Sequence, residues 1–475
     1  NTMSGLYEAQ FGSSPVLLVT GQTESAYYGK GKGFLHENER QLDMLRSVTG
    51  GSTTVARRAD VASSVVRAGI EAQRGRPGPR AVEIPIDLQY AVAEEPEPRA
   101  EEVPRQAPDP GAVETAAAAL AASRRRVILA GGGVVRAGAA EPLRALAARL
   151  EAPVFTSVNG RGSVDETGDL AMGVLQGPPL GGAGIHQALA SAEMVLAVGT
   201  RFQSAATGVW SLEVPSRLLH LDADAHSIGL NYRPEVAIVG DAGLGLQAIL
   251  DAYDGAPNDA AFNRGLLDLR DRHRAELRRR IGPDHQAVME TLRRRLPASG
   301  NLVRDATVPA YTWGNQLFPI LAPRTSIHPT SSAIGPGLPF AIGAAVGSGE
   351  TTFLLQGDGG FMLSIGELAT AAQYRLPILI CLFNDGGYGV LRAIQAQSFE
   401  GRMTGVDLHT PDFVSLAEAM GLQAERVSAA ADLDGAVGRA LDAGGPALID
   451  IDLRRMRPIE IFGAATAPPA GDDDT

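Results

Sequence analysis

Several stretches of this chain are apolar with no polar alternation. They are PVLLVT (15–20), VILAGGG (127–133), MVLAVGT (194–200), TTFLLQGD (351–358) and PILICLFND (377–385), and PALIDIDL (446–453) is a further strand run that carries Asp450 and Asp452. Most stop at Gly or Asp. A strand with one wet face alternates apolar and polar residues, so a run apolar throughout at strand length must be covered on both faces. Between the runs lie stretches with helical spacing, such as ADVASSVVRAGIEAQ (59–73) and AEPLRALAARLEA (140–152). Strand and helix alternating in this way predict an α/β fold of doubly wound parallel sheets.

The alternation occurs in three blocks, which agrees with 475 residues at about 150 per domain. The first, 1–95, holds PVLLVT and AVEIPI (81–86) as strands. A Pro- and Glu-rich linker is expected at 96–111. The second block, 112–255, reads as Rossmann-like. It contains VETAAAALAASRR as a helix and PVFTSV, RLLHLD and VAIVGD as strands. Residues 256–300, with DLRDRHRAELRRRI at their centre, read as a helical connector. The third block, 301–455, adds the helices AIGPGLPFAIGAAVG (333–347), IGELATAAQY (365–374) and FVSLAEAMG (413–421). A tail is expected at 456–475.

Composition narrows the function classes. A net charge of −12 argues against a nucleic-acid partner. No run of about 18 apolar residues predicts a membrane span, and no signal peptide is expected. The single cysteine, Cys381, sits inside LPILICLF and reads as a buried structural thiol, which fits a cytoplasmic setting. The AGGG of 130–133 ends a strand but does not complete GxGxxG, so a nicotinamide site has little support.

The chemistry concentrates at the ends of two runs. LLQGDGG places Asp358 inside a glycine cluster, and LICLFNDGGYG places Asn384 at the next strand end, about 24 residues beyond Gly359. One strand–helix–strand unit brings both to the same sheet edge, where ligands of open α/β sheets bind. Glycines allow close backbone approach, and free N–H groups at a helix start favour a phosphate. A carboxylate beside a phosphate requires a cation between them. Asp358 and Asn384 offer the hard oxygens that Mg²⁺ or Ca²⁺ takes. Lys30 and Lys32 are the only lysines, and no P-loop is present.

The segment GDGGFMLSIGELATAAQYRLPILICLFNDGGYG resembles the thiamine diphosphate-binding motif, GDG followed about 25 residues later by Asn. SSPVLLVTGQTE, GRPGPRAVEIPIDLQ, TSSAIGPGLPFAIGAAVG and LLHLDADAHSIGLNYRPEVAIVGDA are similar in wording and order to acetolactate synthase and its relatives. The resemblance covers nearly the whole chain. It implies thiamine diphosphate and Mg²⁺, with Asp358, Asn384 and the Gly386 carbonyl as metal ligands. It implies backbone contacts to the diphosphate at Gly359 and Gly360, with Gly357 and Tyr388 flanking them. Ile334 falls where the family wedges an apolar residue under the cofactor, and Gly335 would face its pyrimidine ring. A core role is the alternative for Ile334. Tyr311 lies in a stretch that often meets the diphosphate.

The family's glutamate, which drives ylid formation, is expected to lie before Asn1, the first pyrimidine-binding domain being truncated. Glu8 reads as a solvated helix residue and no substitute. His36, in GFLHENE, and His328, in SIHPTSS, are candidates to move protons near neutral pH. The resemblance further implies a small-molecule 2-oxo acid as substrate and a homodimer or homotetramer. FAD binding by the central domain is an option that the family leaves open. Three readings follow. One is decarboxylation of a 2-oxo acid with carboligation. Another is simple decarboxylation of the benzoylformate type. The last is a fragment or pseudoenzyme that binds the cofactor without turnover.

Overall fold

A computed structural model describes residues 2–92, 102–177, 183–461 and 464–465. The expected linker lies partly, and the expected tail largely, outside the described residues. The chain divides into two compact units, 1–106 and 107–475.

The first unit carries strands β1 (Leu17–Gln22), β2 (Ser52–Thr54) and β3 (Arg80–Pro85), all parallel and ordered β1-β3-β2. The helix Met3–Gly12 packs through Leu6 against Leu45 of the helix Gln41–Val48 and Ala81 of β3. Glu8 corrects the sequence expectation: it is buried, not solvated, on the same helix as Leu6, Ala9 and Gly12. The apolar neighbours Leu6 and Ala9 turn that side of the helix inward, and Glu8 goes with them.

The second unit contains two six-stranded parallel sheets. The central one comprises β4 (Arg126–Ala130), β5 (Val154–Thr156), β6 (Ala171–Val174), β7 (Met194–Val198), β8 (Arg217–Asp222) and β9 (Val236–Val239). Their order, β6-β5-β4-β7-β8-β9, reverses direction between β4 and β7. The other sheet comprises β10 (Asn301–Arg304), β11 (Ser326–Ile327), β12 (Thr352–Gly357), β13 (Ile378–Asn384), β14 (Gln423–Val427) and β15 (Ala447–Asp452). Its order is β11-β10-β12-β13-β15-β14, so it reverses between β10 and β12. Such reversals open a crevice at the carboxyl ends of the strands.

The runs of the second unit are accounted for by burial on both faces, whereas PVLLVT is not, since Leu17 and Val19 of β1 are exposed. Phe353, Leu355, Leu379, Cys381 and Phe383 enter one core, while Leu354, Ile380 and Leu382 enter the core on the opposite face. Cys381 is fully buried, and burial pushes its thiol up to about 12. The connector helix Ala260–Arg295 breaks at Gly282 (φ 74), just before Pro283. Beyond the break, Val288, Met289 and Leu292 pack into the first of these cores, so the connector's second half is a core element.

Arg161 locks the two sheets together. Its guanidinium donates to Glu166 at 2.7 and 2.8 Å and to the Gly314 carbonyl at 2.7 Å, while Glu166 accepts the Ile320 N–H at 2.9 Å. Both ionic groups are buried, but every partner is a hydrogen-bonding one, as a buried ion pair requires.

Candidate functional site

Strands β12 and β13 pair in parallel with Gly357 opposite Phe383, which sets Asp358 beside Asn384 at one sheet edge. The Asp385 N–H donates to Asp358 Oδ1 at 3.4 Å. Asp358 is 1% exposed, and its Oδ2 has no hydrogen-bond partner among the described residues. Burial, and then the charge of Asp385, push the Asp358 carboxyl up to about 7. Asp385 is also buried and pushed up to about 6 by burial, with Arg392 opposing that shift. Its Oδ2 lies 3.6 Å from Arg392 Nη1, and its Oδ1 likewise has no partner. Two buried carboxyls with uncommitted oxygens form an environment that a cation would relieve.

Asn384 Nδ2 donates to Asp450 Oδ1 at 3.1 Å, and Asn384 Oδ1 accepts the Gly386 N–H at 3.3 Å. Gly386 takes φ 77, a conformation that favours glycine, and its carbonyl accepts the Leu408 N–H at 3.0 Å. A carbonyl keeps a second lone pair for a further partner. Among the described residues no three His, Cys, Asp or Glu side chains converge on a metal position. The set expected from the sequence is of another composition: one carboxylate, one amide and one carbonyl.

Across the crevice, Asp305 follows β10 and is the hub of the facing loop. It accepts the N–H groups of Gly335 (3.1 and 3.2 Å) and Gly337 (2.7 Å), and Nε2 of Gln356 at 3.0 Å. Burial raises the Asp305 carboxyl while these backbone donors oppose that rise. The helix expected from residue 333 starts at Gly337, since Gly335 has φ 103 and cannot continue it. Ile334 is left on the loop, 39% exposed rather than in the core. With Asp358, Gly360, Asp385 and Tyr388 it lines a cavity of about 200 Å³, with Thr307 and Tyr311 also on the wall. The Tyr388 ring leans on Gly359, where a Cβ would lie 2.7 Å from Cδ1. Asp358–Phe361 forms one short helical turn, and the helix expected at 365–374 is a 3₁₀ turn leading into Leu368–Gln373.

The two histidines lie elsewhere. His328 is partly buried in a smaller cavity with Arg304, Asp305 and Tyr311. Burial, then the cations Arg304 and Arg161, push it down to about 3. Its imidazole is therefore held neutral near pH 7. His36 is exposed on a loop of the first unit at φ 61. Sequence reasoning misses Asp305, Gln356, Asp385, Arg392 and Asp450. Asp450 does leave a signal, a carboxylate in the middle of the strand run PALIDIDL.

Fold and crevice define an α/β protein that binds a cofactor at the switch point of a parallel sheet. Residues 309–451 match the C-terminal thiamine pyrophosphate-binding domain of thiamine pyrophosphate enzymes, and residues 113–249 match their central domain. A probable 2-ketoarginine decarboxylase, AruI, of Pseudomonas aeruginosa is 34% identical over 433 residues, covering 89% of this chain and 75% of its own. The acetolactate synthase large subunit of Corynebacterium glutamicum is 30% identical, covering 95% and 74%. That of Parasynechococcus marenigrum is 28% identical, covering 96% and 75%. The chain belongs to the thiamine pyrophosphate-dependent enzymes. Among its described residues no helix is long and apolar enough to cross a membrane.

Proposed function

We propose that the protein decarboxylates a 2-oxo acid with thiamine diphosphate and Mg²⁺, and joins the resulting fragment to a second carbonyl compound. The observation that carries this is the partnerless Oδ2 of buried Asp358 beside Asn384, inside a thiamine pyrophosphate-binding domain. A hard divalent cation fits that donor set, with the Gly386 carbonyl as third protein ligand. When bound, the cofactor would supply a carbon nucleophile for the 2-oxo acid and an electron sink for the pair that CO₂ leaves behind.

The chain's own residues bind and orient. Asp358 and Asn384 hold the cation, and the backbone of Gly357, Gly359 and Gly360 approaches the diphosphate. Ile334 is held at the cavity by the Asp305 hydrogen bonds to Gly335 and Gly337, and it would pack against the cofactor. Tyr388 closes the wall beside Gly359. Gly131 and Gly133 of the central AGGG turn pack against the backbone of Gly199. A homodimer or homotetramer and a cytoplasmic setting belong to the same reading, by likeness to the family.

Likeness to the Pseudomonas decarboxylase favours a second reading, in which the fragment leaves as an aldehyde. The test is CO₂ release by the full-length gene product from pyruvate, 2-oxobutyrate, benzoylformate and 2-oxoarginine, with product analysis. Release from at least one acid, abolished by EDTA, is the expected result. Ligated product separates the first reading from the second. Cofactor binding with no release from any acid would leave only a binding protein.

A further inference from the structure

Asn384 presents a problem that its own motif does not solve. A primary amide offers an oxygen or an NH₂ group, and only the oxygen can hold a cation. Which one faces the cation depends on what the other end meets. Here it meets Asp450, which is fully buried in β15, between strand neighbours Ile449 and Ile451 that sit in a hydrophobic core. Asp450 Oδ1 accepts from Asn384 Nδ2 at 3.1 Å. Its Oδ2 accepts from Arg426 Nε at 2.9 Å, and Arg426 Nη2 in turn donates to Asp412 at 2.9 Å. Burying a carboxylate in a strand is costly, and both its oxygens are committed here.

We propose that Asp450, itself held by Arg426, is a positioning residue that commits the Asn384 NH₂ group and so turns the Asn384 oxygen toward the cation. This rests on the reading of Asn384 as a cation ligand. Groups that orient metal ligands in this way govern affinity although they never touch the metal. The arrangement also predicts what the mildest change does. In Asp450→Asn, Arg426 Nε still needs an acceptor, so the new amide turns its oxygen to Arg426 and its NH₂ to Asn384. Asn384 must then flip, pointing its own NH₂ at the cation. Exchanging the two residues reverses donor and acceptor together. In Asn384→Asp/Asp450→Asn the NH₂ at 450 meets a carboxylate at 384, whose second oxygen faces the cation.

The experiment measures the Mg²⁺ concentration that half-saturates thiamine diphosphate binding to the full chain, by calorimetric titration. Mn²⁺ binding in the presence of the cofactor is followed by electron paramagnetic resonance, and thermal unfolding is run in parallel. D450N is expected to raise that Mg²⁺ concentration about 10- to 100-fold, the range typical of groups that orient ligands. The exchanged double variant is expected to return to within about threefold of the parent, or tighter. N384D alone, which sets two acceptor groups face to face, is expected to remain weaker than the double variant. A D450N protein within about threefold of the parent overturns the proposal, and so does a double variant no tighter than D450N. Asn384→Ala separates the two levels. If it keeps the parent's metal dependence, the reading of Asn384 as a ligand fails. If it loses that dependence while D450N keeps it, only the role of Asp450 fails.

Discussion

The second unit contains two glycine turns at the reversal points of two parallel sheets, and they serve opposite ends. After β4, a Cβ on Gly131 would lie 2.1 Å from the Gly199 carbonyl oxygen, and one on Gly133 would lie 2.6 Å from Gly199 Cα. That turn is filled by the protein's own backbone at the end of β7. After β12, Gly357 and Gly360 border an open cavity and adjoin a buried carboxylate with an uncommitted oxygen. Glycine permits close approach in both places. What marks a binding site is a polar group that the fold has buried and left unsatisfied.

Substitutions at the two turns should separate these roles. Asp358→Ala is expected to abolish Mg²⁺-dependent thiamine diphosphate binding, a loss of at least about 100-fold by titration. The metal-free protein should unfold at an unchanged or higher temperature, because a buried, partnerless carboxyl oxygen is removed. Unchanged cofactor affinity would break the comparison. Gly131→Ala should do the reverse. It forces a methyl group into backbone and should cost about 3 kcal/mol of stability in denaturant titration. Cofactor affinity per folded molecule should stay at the parent's value.

Asp305→Ala lies between these cases. It leaves the Gly335 and Gly337 N–H groups and Gln356 without their acceptor, at about 1–3 kcal/mol in unfolding measurements. Because Ile334 rides on that loop, cofactor affinity should fall as well, which sharpens the distinction from Gly131.

An effect confined to acid pH comes from a group outside both turns. Burial holds His285 down to about 4, with Asp284 opposing. As pH falls below the unfolded value of about 6.5, the unfolded chain takes up the proton first. Stability tied to His285 is therefore intact above about pH 6.5 and is lost down to about pH 4, at roughly 1.4 kcal/mol per unit. Unfolding of His285→Gln followed across that window should show a shallower dependence, while its Mg²⁺-dependent cofactor binding matches the parent's.

Much of the fold is legible in the order of residues alone. In the second unit the unalternating runs of strand length lie between two covering layers, so its parallel α/β fold follows from pattern. Asp358 and Asn384 are legible as a pair because one strand–helix–strand unit repeats its register, and β12 and β13 do set Gly357 against Phe383. The beginning of the helix at Gly337 is not legible. It turns on a positive φ at Gly335, which Asp305 holds from 30 residues away. The burial of Glu8 and the suppressed titration of His328 are hidden for a related reason: each depends on what packs around it.

Local order and spacing are written in the sequence because they act over one or two turns of chain. Orientation and charge state are not. The Asn384 amide is set by Asp450 across 66 residues, and Asp305, which holds the loop carrying Ile334, is bonded to Gln356 across 51. The chain by itself determined which residues would meet at the strand ends. Only the tertiary structure decided which way they face, because hydrogen-bond direction and desolvation depend on neighbours that folding alone brings together.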